Sequence, residues 1–391
     1  MMRTKIRSCA LAYAVTLTFL SACAVIPKHE PHLGTDQITS KTLMTAAPLR
    51  DGTELEDLSR IDVLEITPGM LEFIDEHIKP HQSDYARLRR LLHAVMGEGE
   101  FDLVYDETTR TASETFDKRR GNCLSFTNMF IAMARKVGIN AQYQEVEIQP
   151  LWSMSGSSFR INQHVNVHVD LGPGRTRVVD FNIRDFNTER EQRIISDARA
   201  RAHYFNNIGV EKMLAENTQS ALANFRQSLL EDRSFTAAWI NFGSLYRRGG
   251  NADYAEAAFL RALYYDPSSM VAMSNLAELY QEQGETALAN DYEARVKLHR
   301  QRNPYYWFYL ANEAFTDGDY DGAIDHVERA LRLHDREPRF YSLLSFSYLM
   351  NGNREAARRW MEHAESLVED EADKSRYREK LDMLVSQDSK D

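Results

Sequence analysis

A thiol, an imidazole and a carboxylate stand in that order along the chain as Cys123, His164 and Asp180. Together these types can perform acyl transfer: the sulfur attacks a carbonyl, the imidazole moves the proton and the carboxylate orients the imidazole. The cysteine count narrows the possibilities. Cys9 and Cys23 fall in an N-terminal export-type segment, so Cys123 has no disulfide partner in the rest of the chain. A lone thiol leaves three readings open: a buried inert group, an intermolecular disulfide, or a nucleophile.

The surrounding pattern bears on that choice. Cys123 lies in Arg119-Arg120-Gly121-Asn122-Cys123-Leu124-Ser125-Phe126, after which Leu124, Thr127, Phe130, Ile131, Ala134 and Val137 recur at helical spacing up to Gly138. Asn122 is a candidate N-cap, placing Cys123 in the first turn, where unsatisfied N–H groups favour a thiolate. Gly121 would leave room for a substrate carbonyl. The strict alternation of His164-Val165-Asn166-Val167-His168-Val169-Asp170 predicts a half-buried strand with the valines inward and both histidines on the other face. Gly172-Pro173-Gly174 supplies a turn, and Thr176 to Asn182 reads as the returning strand, its Asp180 end beside the His164 end.

His168 is the alternative base. On a strand it would lie about 13 Å from His164, too far for the two to share one metal ion, and neither a metal nor a cofactor is implied. An oxyanion hole is expected from the Cys123 N–H plus a second donor; Asn122 and Trp152 are the oxyanion or cleft candidates. Upstream, residues 51–116 read mostly helical, with amphipathic stretches before Pro80 and up to Gly97.

From Ala112 to Asn182 the chain resembles the transglutaminase-like superfamily of papain-related cysteine enzymes. Gly121-Asn122-Cys123 opens a helix ending near Gly138-Ile139-Asn140-Ala141, His164 follows on a strand, and Asp180 follows on the next. The resemblance implies Cys123 as nucleophile, His164 as general base and acid, and Asp180 as orienter. The chain departs from the family pattern with Val165-Asn166, where an aromatic residue often follows the histidine. A second departure is Phe181-Asn182, where Pro-Thr often follows the aspartate.

At the N-terminus, Arg3, Lys5 and Arg7 precede an apolar stretch from Ala10 to Leu20, too short to span a bilayer. Leu20-Ser21-Ala22-Cys23 resembles the bacterial lipobox. That resemblance implies removal of a signal peptide over 1–22 and lipidation of Cys23, giving a membrane anchor of two or three acyl chains. Ala24, where an inner-membrane retention signal would place aspartate, points to an outer-membrane lipoprotein facing the periplasm. Residues 23–50, with Pro27, Pro31 and Pro48, read as a flexible tether.

From about Ala202 the sequence repeats every 34 residues. Gly250, Gly284, Gly318 and Gly352 form one column and Ala221, Ala255, Ala289, Ala323 and Ala357 another. This resembles the tetratricopeptide repeat: five units from about Tyr204 to Val368, then a capping helix from Asp373 to Val385. The architecture expected is an α+β transglutaminase-like (papain-like) domain over 51–195 plus an all-α repeat solenoid over 202–385. Such arrays bind peptides or partner proteins. The run Tyr305-Tyr306-Trp307-Phe308-Tyr309 covers more than one face of its helix, so one or two rings should be exposed; Tyr306 and Tyr309 are the partner-binding candidates.

Composition sets outer limits. Among 391 residues, 43% are hydrophobic and 27% charged, a globular mixture that excludes wholesale disorder. Losing Arg3, Lys5 and Arg7 with the signal would take the net charge from −11 to −14, which argues against phosphate-driven nucleic-acid binding. The function expected is an envelope-anchored cysteine amide hydrolase or acyltransferase that works through a thioester, with peptide or protein substrates recruited by the repeats. The alternative is a non-catalytic periplasmic adaptor that binds partner proteins through the repeats.

Overall fold

The computed structural model describes residues 38–49, 52, 54–79, 83–97, 101–147, 163–181 and 192–368, with 374, 375, 377 and 378. Cys23, Trp152 and most of the expected capping helix lie outside these residues. No helix among the described residues is long and apolar enough to cross a membrane.

The chain's first described segment corrects the tether reading. Helix α1 (Ser40–Thr45), capped by Thr39, and a 3-10 turn over Ala47–Leu49 are folded onto the repeats. Leu43, Met44 and Ala46 are buried in the repeat core. The Tyr246 hydroxyl donates to the Leu43 carbonyl at 2.6 Å and Gln219 Nε2 to the Leu49 carbonyl at 2.9 Å. Spaced prolines suggested a linker, but the short apolar set between them finds partners 200 residues away.

Helices α2 (Pro68–His77) and α3 (Asp84–Met96) then precede a short strand, β1 (Val104–Tyr105). Helix α4 (Ala112–Lys118) opens with a Thr111–Glu114 capping box and leads to β2 (Arg120–Gly121), which pairs in parallel with β1. Helix α5 (Cys123–Lys136) follows, buried at every position from Leu124 to Ala134, as befits a helix at the centre of a core. A four-stranded antiparallel sheet of order β5-β4-β3-β6 packs against it. Its strands are β3 (Asn140–Glu147), β4 (Gln163–Asp170), β5 (Thr176–Val179) and β6 (Gln192–Ile195).

The expected hairpin is β4–β5, turning through Gly172 and Gly174, both at positive φ. Val165, Val167 and Val169 join Phe130, Met133 and Tyr143 in the core between sheet and α5. The prediction that the other face of β4 is open holds only at its far end. His168 is half-buried, but Asn166 is fully buried and His164 nearly so. Strand β3, paired along both edges, was not predicted, because the buried Gln144 and Glu145 interrupt its apolar pattern.

Among the described residues 197–366, ten helices form five pairs: α6 (Asp197–Leu214) with α7 (Thr218–Glu231), α8 (Thr236–Arg248) with α9 (Ala252–Tyr265), and α10 (Met270–Glu282) with α11 (Thr286–Arg302). The last two pairs are α12 (Pro304–Thr316) with α13 (Tyr320–Leu333) and α14 (Pro338–Met350) with α15 (Arg354–Ser366). The five alanines of the 34-residue column are all fully buried, where a larger side chain would force paired helices apart. Gly250, Gly284, Gly318 and Gly352 all take the left-handed conformation that turns the chain between helices. In the first unit Glu216 holds the same place at φ 58° without glycine's freedom.

The two halves are fused rather than linked. Helix α6 starts at Asp197, and its Ala200, Tyr204 and Phe205 belong to the core beneath the sheet while its Ala202 belongs to the repeat core. Arg135 adds a two-pronged ion pair to Asp197 at 2.6 and 2.8 Å, and Arg201 donates to the Ile61 carbonyl at 2.8 Å.

Candidate active site

Cys123 is the first residue of α5, and the loop of residues 106–110 clasps that helix end. Asn122 caps it: its Oδ1 accepts from the Ser125 N–H at 3.0 Å and from the Ser125 hydroxyl at 2.9 Å, while its Nδ2 donates to Thr109 Oγ1 at 2.8 Å. The Ser125 hydroxyl in turn accepts from the Arg110 N–H at 2.8 Å. Asp106 grips the Arg110 guanidinium with both oxygens, at 2.7 and 3.0 Å, and this holds its carboxyl below the usual carboxylate range. Thr109 reaches the repeats as well, its N–H donating to Glu211 Oε1 on α6 at 2.8 Å.

With Oδ1 on Ser125 and Nδ2 on Thr109, Asn122 serves as a helix cap and as a tie to the loop. Gly121 is required for packing: a Cβ there would sit 2.5 Å from Ser125 Cβ. The Cys123 N–H, in the first turn, is not met by a carbonyl of its own helix. The thiol itself is partly accessible.

His164 stands at the start of β4. Its Nε2 lies 2.8 Å from each oxygen of Asp180, which follows the last residue of β5, and its ring is also hydrogen-bonded to Cys123. Nε2 is committed to the carboxylate, which leaves Nδ1 as the other nitrogen of the ring. Both His164 and Asp180 are almost fully buried, at 9% and 6% exposure of their side chains. Burial alone would push the imidazole pKa down. Hydrogen bonds to Asp180 and Cys123, and their charges, outweigh it and raise the value to about 9. Thr127 Oγ1 of α5 donates to the Val165 carbonyl at 3.1 Å, pinning the cysteine helix to the strand beside the histidine.

The structure therefore brings Cys123, His164 and Asp180 together. His168 is held elsewhere, opposite Gln142 and Val178 in the sheet. Several contributors were not singled out by residue type: Thr109, Ser125, Asn166, and Tyr105, whose ring is 61% exposed on β1 and close enough to feel the charge of Cys123. The Thr108-Thr109 and Asn122/Ser125 pairings span loop to helix and leave no local periodicity to read.

Tyr306 and Tyr309 lie far along the repeats on α12. All five residues of that run are half-buried. Trp307 packs against His326 and lies under Arg329, and Tyr305 and Phe308 pack on Phe340.

The model for the transglutaminase-like superfamily matches residues 72–174, and that for a tetratricopeptide repeat matches 236–269. The chain carries a transglutaminase-like core followed by tetratricopeptide repeats. The first family is commonly one of cysteine hydrolases and transferases, and the repeat is a module that binds proteins or peptides. A search of curated proteins finds no match. Solved structures with similar stretches include MamA, 19% identical over 45% of this chain and 94% of that one, with a TM-score of 0.24. YrrB, described as a TPR protein with an unusual peptide-binding site, is 17% identical over 46% of this chain and 92% of its own, with a TM-score of 0.24. Pseudomonas aeruginosa PilF is 15% identical over 49% and 92%, with a TM-score of 0.26.

Proposed function

We propose that the transglutaminase-like domain is a cysteine amide hydrolase whose nucleophile is Cys123, and that the repeats present peptide or protein substrates to it. The observation that carries this is the position of His164, bonded on one side to Asp180 and on the other to Cys123, with an elevated pKa that keeps the ring protonated at neutral pH. A protonated imidazole beside a sulfur at a helix's first turn favours a thiolate–imidazolium pair. The thiolate adds to an amide carbonyl, and the Cys123 N–H meets the developing oxyanion. As the C–N bond breaks, His164 gives its proton to the departing amine, leaving a thioester. The neutral ring then takes a proton from water as the hydroxyl adds, and collapse releases the carboxylic acid and restores the ion pair.

By the same proposal residues 1–22 are removed, Cys23 is lipidated, and the protein is held at the outer membrane facing the periplasm. The supporting features are the basic, apolar and Leu20-Ser21-Ala22-Cys23 segments. Radiolabelled palmitate should enter the wild-type chain and be absent from Cys23→Ala.

The deciding test is to trap the acyl-enzyme at Cys123 from an envelope extract and identify the acyl group by mass spectrometry. A captured acyl group that leaves as free acid in water supports hydrolysis; one that leaves only on an added amine makes the protein a transferase. An unacylated Cys123 with every extract overturns the reading.

A further inference from the structure

Strand β4 places a third polar side chain against the Cys123 site. Asn166 is fully buried, yet its neighbours Val165, Val167 and Val169 show that this strand packs well with β-branched apolar residues. The β4–β5 register pairs Val167 with Val179, so the next rung sets Asn166 opposite Asp180. There Asn166 Nδ2 donates to Asp180 Oδ2 at 3.0 Å. The donor end of the amide must point at the carboxylate, which aims Oδ1 the other way, where it is buried without a hydrogen-bond partner. Its cross-strand neighbour on β3, Gln144, likewise buries an unpartnered Oε1. An orphaned buried acceptor is destabilising, because it gives up its hydrogen bonds to water and gains none in return. A valine at 166 would avoid that penalty, so the observed arrangement demands a use for the donor end.

We infer that Asn166 is a positioning residue, whose amide locks the Asp180 carboxylate in the orientation that presents both oxygens to His164. This rests on the Cys123–His164–Asp180 reading and extends it. The carboxylate receives His164 Nε2 from one side and Asn166 Nδ2 from the other, so rotation about its Cβ–Cγ bond would break a hydrogen bond. Without the amide, Asp180 loses a donor that holds its carboxylate towards the ring, which weakens the interaction that opposes the desolvation of His164. Among the described residues, the titratable groups facing His164 are Asp180 from the hairpin and Cys123 from α5; Tyr105 on β1 faces the cysteine.

The test uses iodoacetate on the full chain, with carboxymethylation of the Cys123 peptide read by mass spectrometry between pH 5 and 11. An anionic reagent is steered by the imidazolium, so its rate should fall on the alkaline side as His164 deprotonates near pH 9; neutral iodoacetamide should show no such fall. In Asn166→Leu that alkaline limb should move down by at least about one pH unit, with a roughly threefold lower rate at pH 8.5 that approaches about tenfold above pH 10. Should Asn166→Leu lack a cooperative melting transition, Asn166→Ala carries the same expectation. A limb that stays in place or moves upward overturns the role of Asn166 while leaving the cysteine–histidine pair standing. A wild-type profile with no alkaline limb, unaltered by His164→Ala, overturns both together.

Discussion

His164 and His203 each bond a buried carboxylate through Nε2, from the two faces of one sheet, and their environments push them in opposite directions. His164 meets Asp180 and Cys123 and is raised to about 9. His203, on α6, meets Glu145 Oε1 at 2.5 Å, yet its own burial against Phe235 prevails and lowers it below its ordinary value. The contrast lies in what else the carboxylate holds. Glu145 also binds Arg199 Nε at 2.9 Å and pairs with Arg193, and Arg199 extends to Asp232 at 2.9 Å. Burial would raise the Glu145 pKa, but hydrogen bonds from His203 and Arg199 hold it well below the carboxylate range. Its charge is already matched by cations, so little is left to protonate the ring. A carboxylate partner alone does not make a histidine a proton carrier; the added contact with a nucleophile separates His164 from His203. The Glu145 cluster instead ties β3 and β6 to the first repeat helix.

The largest effect that would sharpen this contrast is on activity. Cys123→Ser should lower turnover of an amide substrate at least about 10⁴-fold. His203→Gln, which keeps a donor for Glu145, should leave turnover per folded molecule within about twofold. Equal losses in both would erase the distinction. Next comes Asp180→Asn. It keeps the shape but replaces the charge that raises His164, so turnover should fall about 10²-fold and the alkaline limb of the rate profile should drop from about pH 9 towards the ordinary histidine range. A pH–rate profile with an unmoved limb would show that Asp180 does not tune the ring.

The two histidines also differ in how visible they were beforehand. His164 and Asp180 sit on a hairpin whose alternation and Gly-Pro-Gly turn are local, and Cys123 begins a helix with its own cap, so each was legible from spacing. The five repeats were legible for the same reason, each alanine of the 34-residue column repeating one packing constraint. His203 carried no such signal: its role depends on Glu145, 58 residues earlier and on a strand whose buried Gln144 and Glu145 disguise it. Helix α6 blurred the domain boundary because it is buried on more than one side, serving two cores. Asn122 shows a limit of another kind. Its type suits both a cap and an oxyanion donor, and spacing alone did not reveal the bonds to Ser125 and Thr109 that make it a cap and a tie.

Stability offers the converse comparison. Glu145→Ala should cost about 3–5 kcal/mol in urea unfolding, because Arg199 is left buried with one carboxylate fewer and the sheet loses its tie to α6. Carboxymethylation of Cys123 in the folded fraction should change little. A large loss of thiol reactivity at unchanged stability would mean that the clamp supports the site rather than the fold.

The smallest effect is in the pH dependence of stability, where the two rings should leave slopes of opposite sign. His164 binds its proton more tightly folded than unfolded. Its contribution is therefore fully present below its ordinary value of 6.5 and disappears as pH rises through about 9. For His203 the unfolded chain takes up a proton near pH 6.5 that the folded chain resists, so stability falls as pH drops below that value. Wild-type melting temperatures should decline at both ends of a series from pH 5 to 10. His164→Gln should flatten the alkaline decline and His203→Gln the acid one. If both substitutions flatten the same limb, the two pairs are tuned alike, and the contrast between a reactive and a structural histidine fails at its physical root.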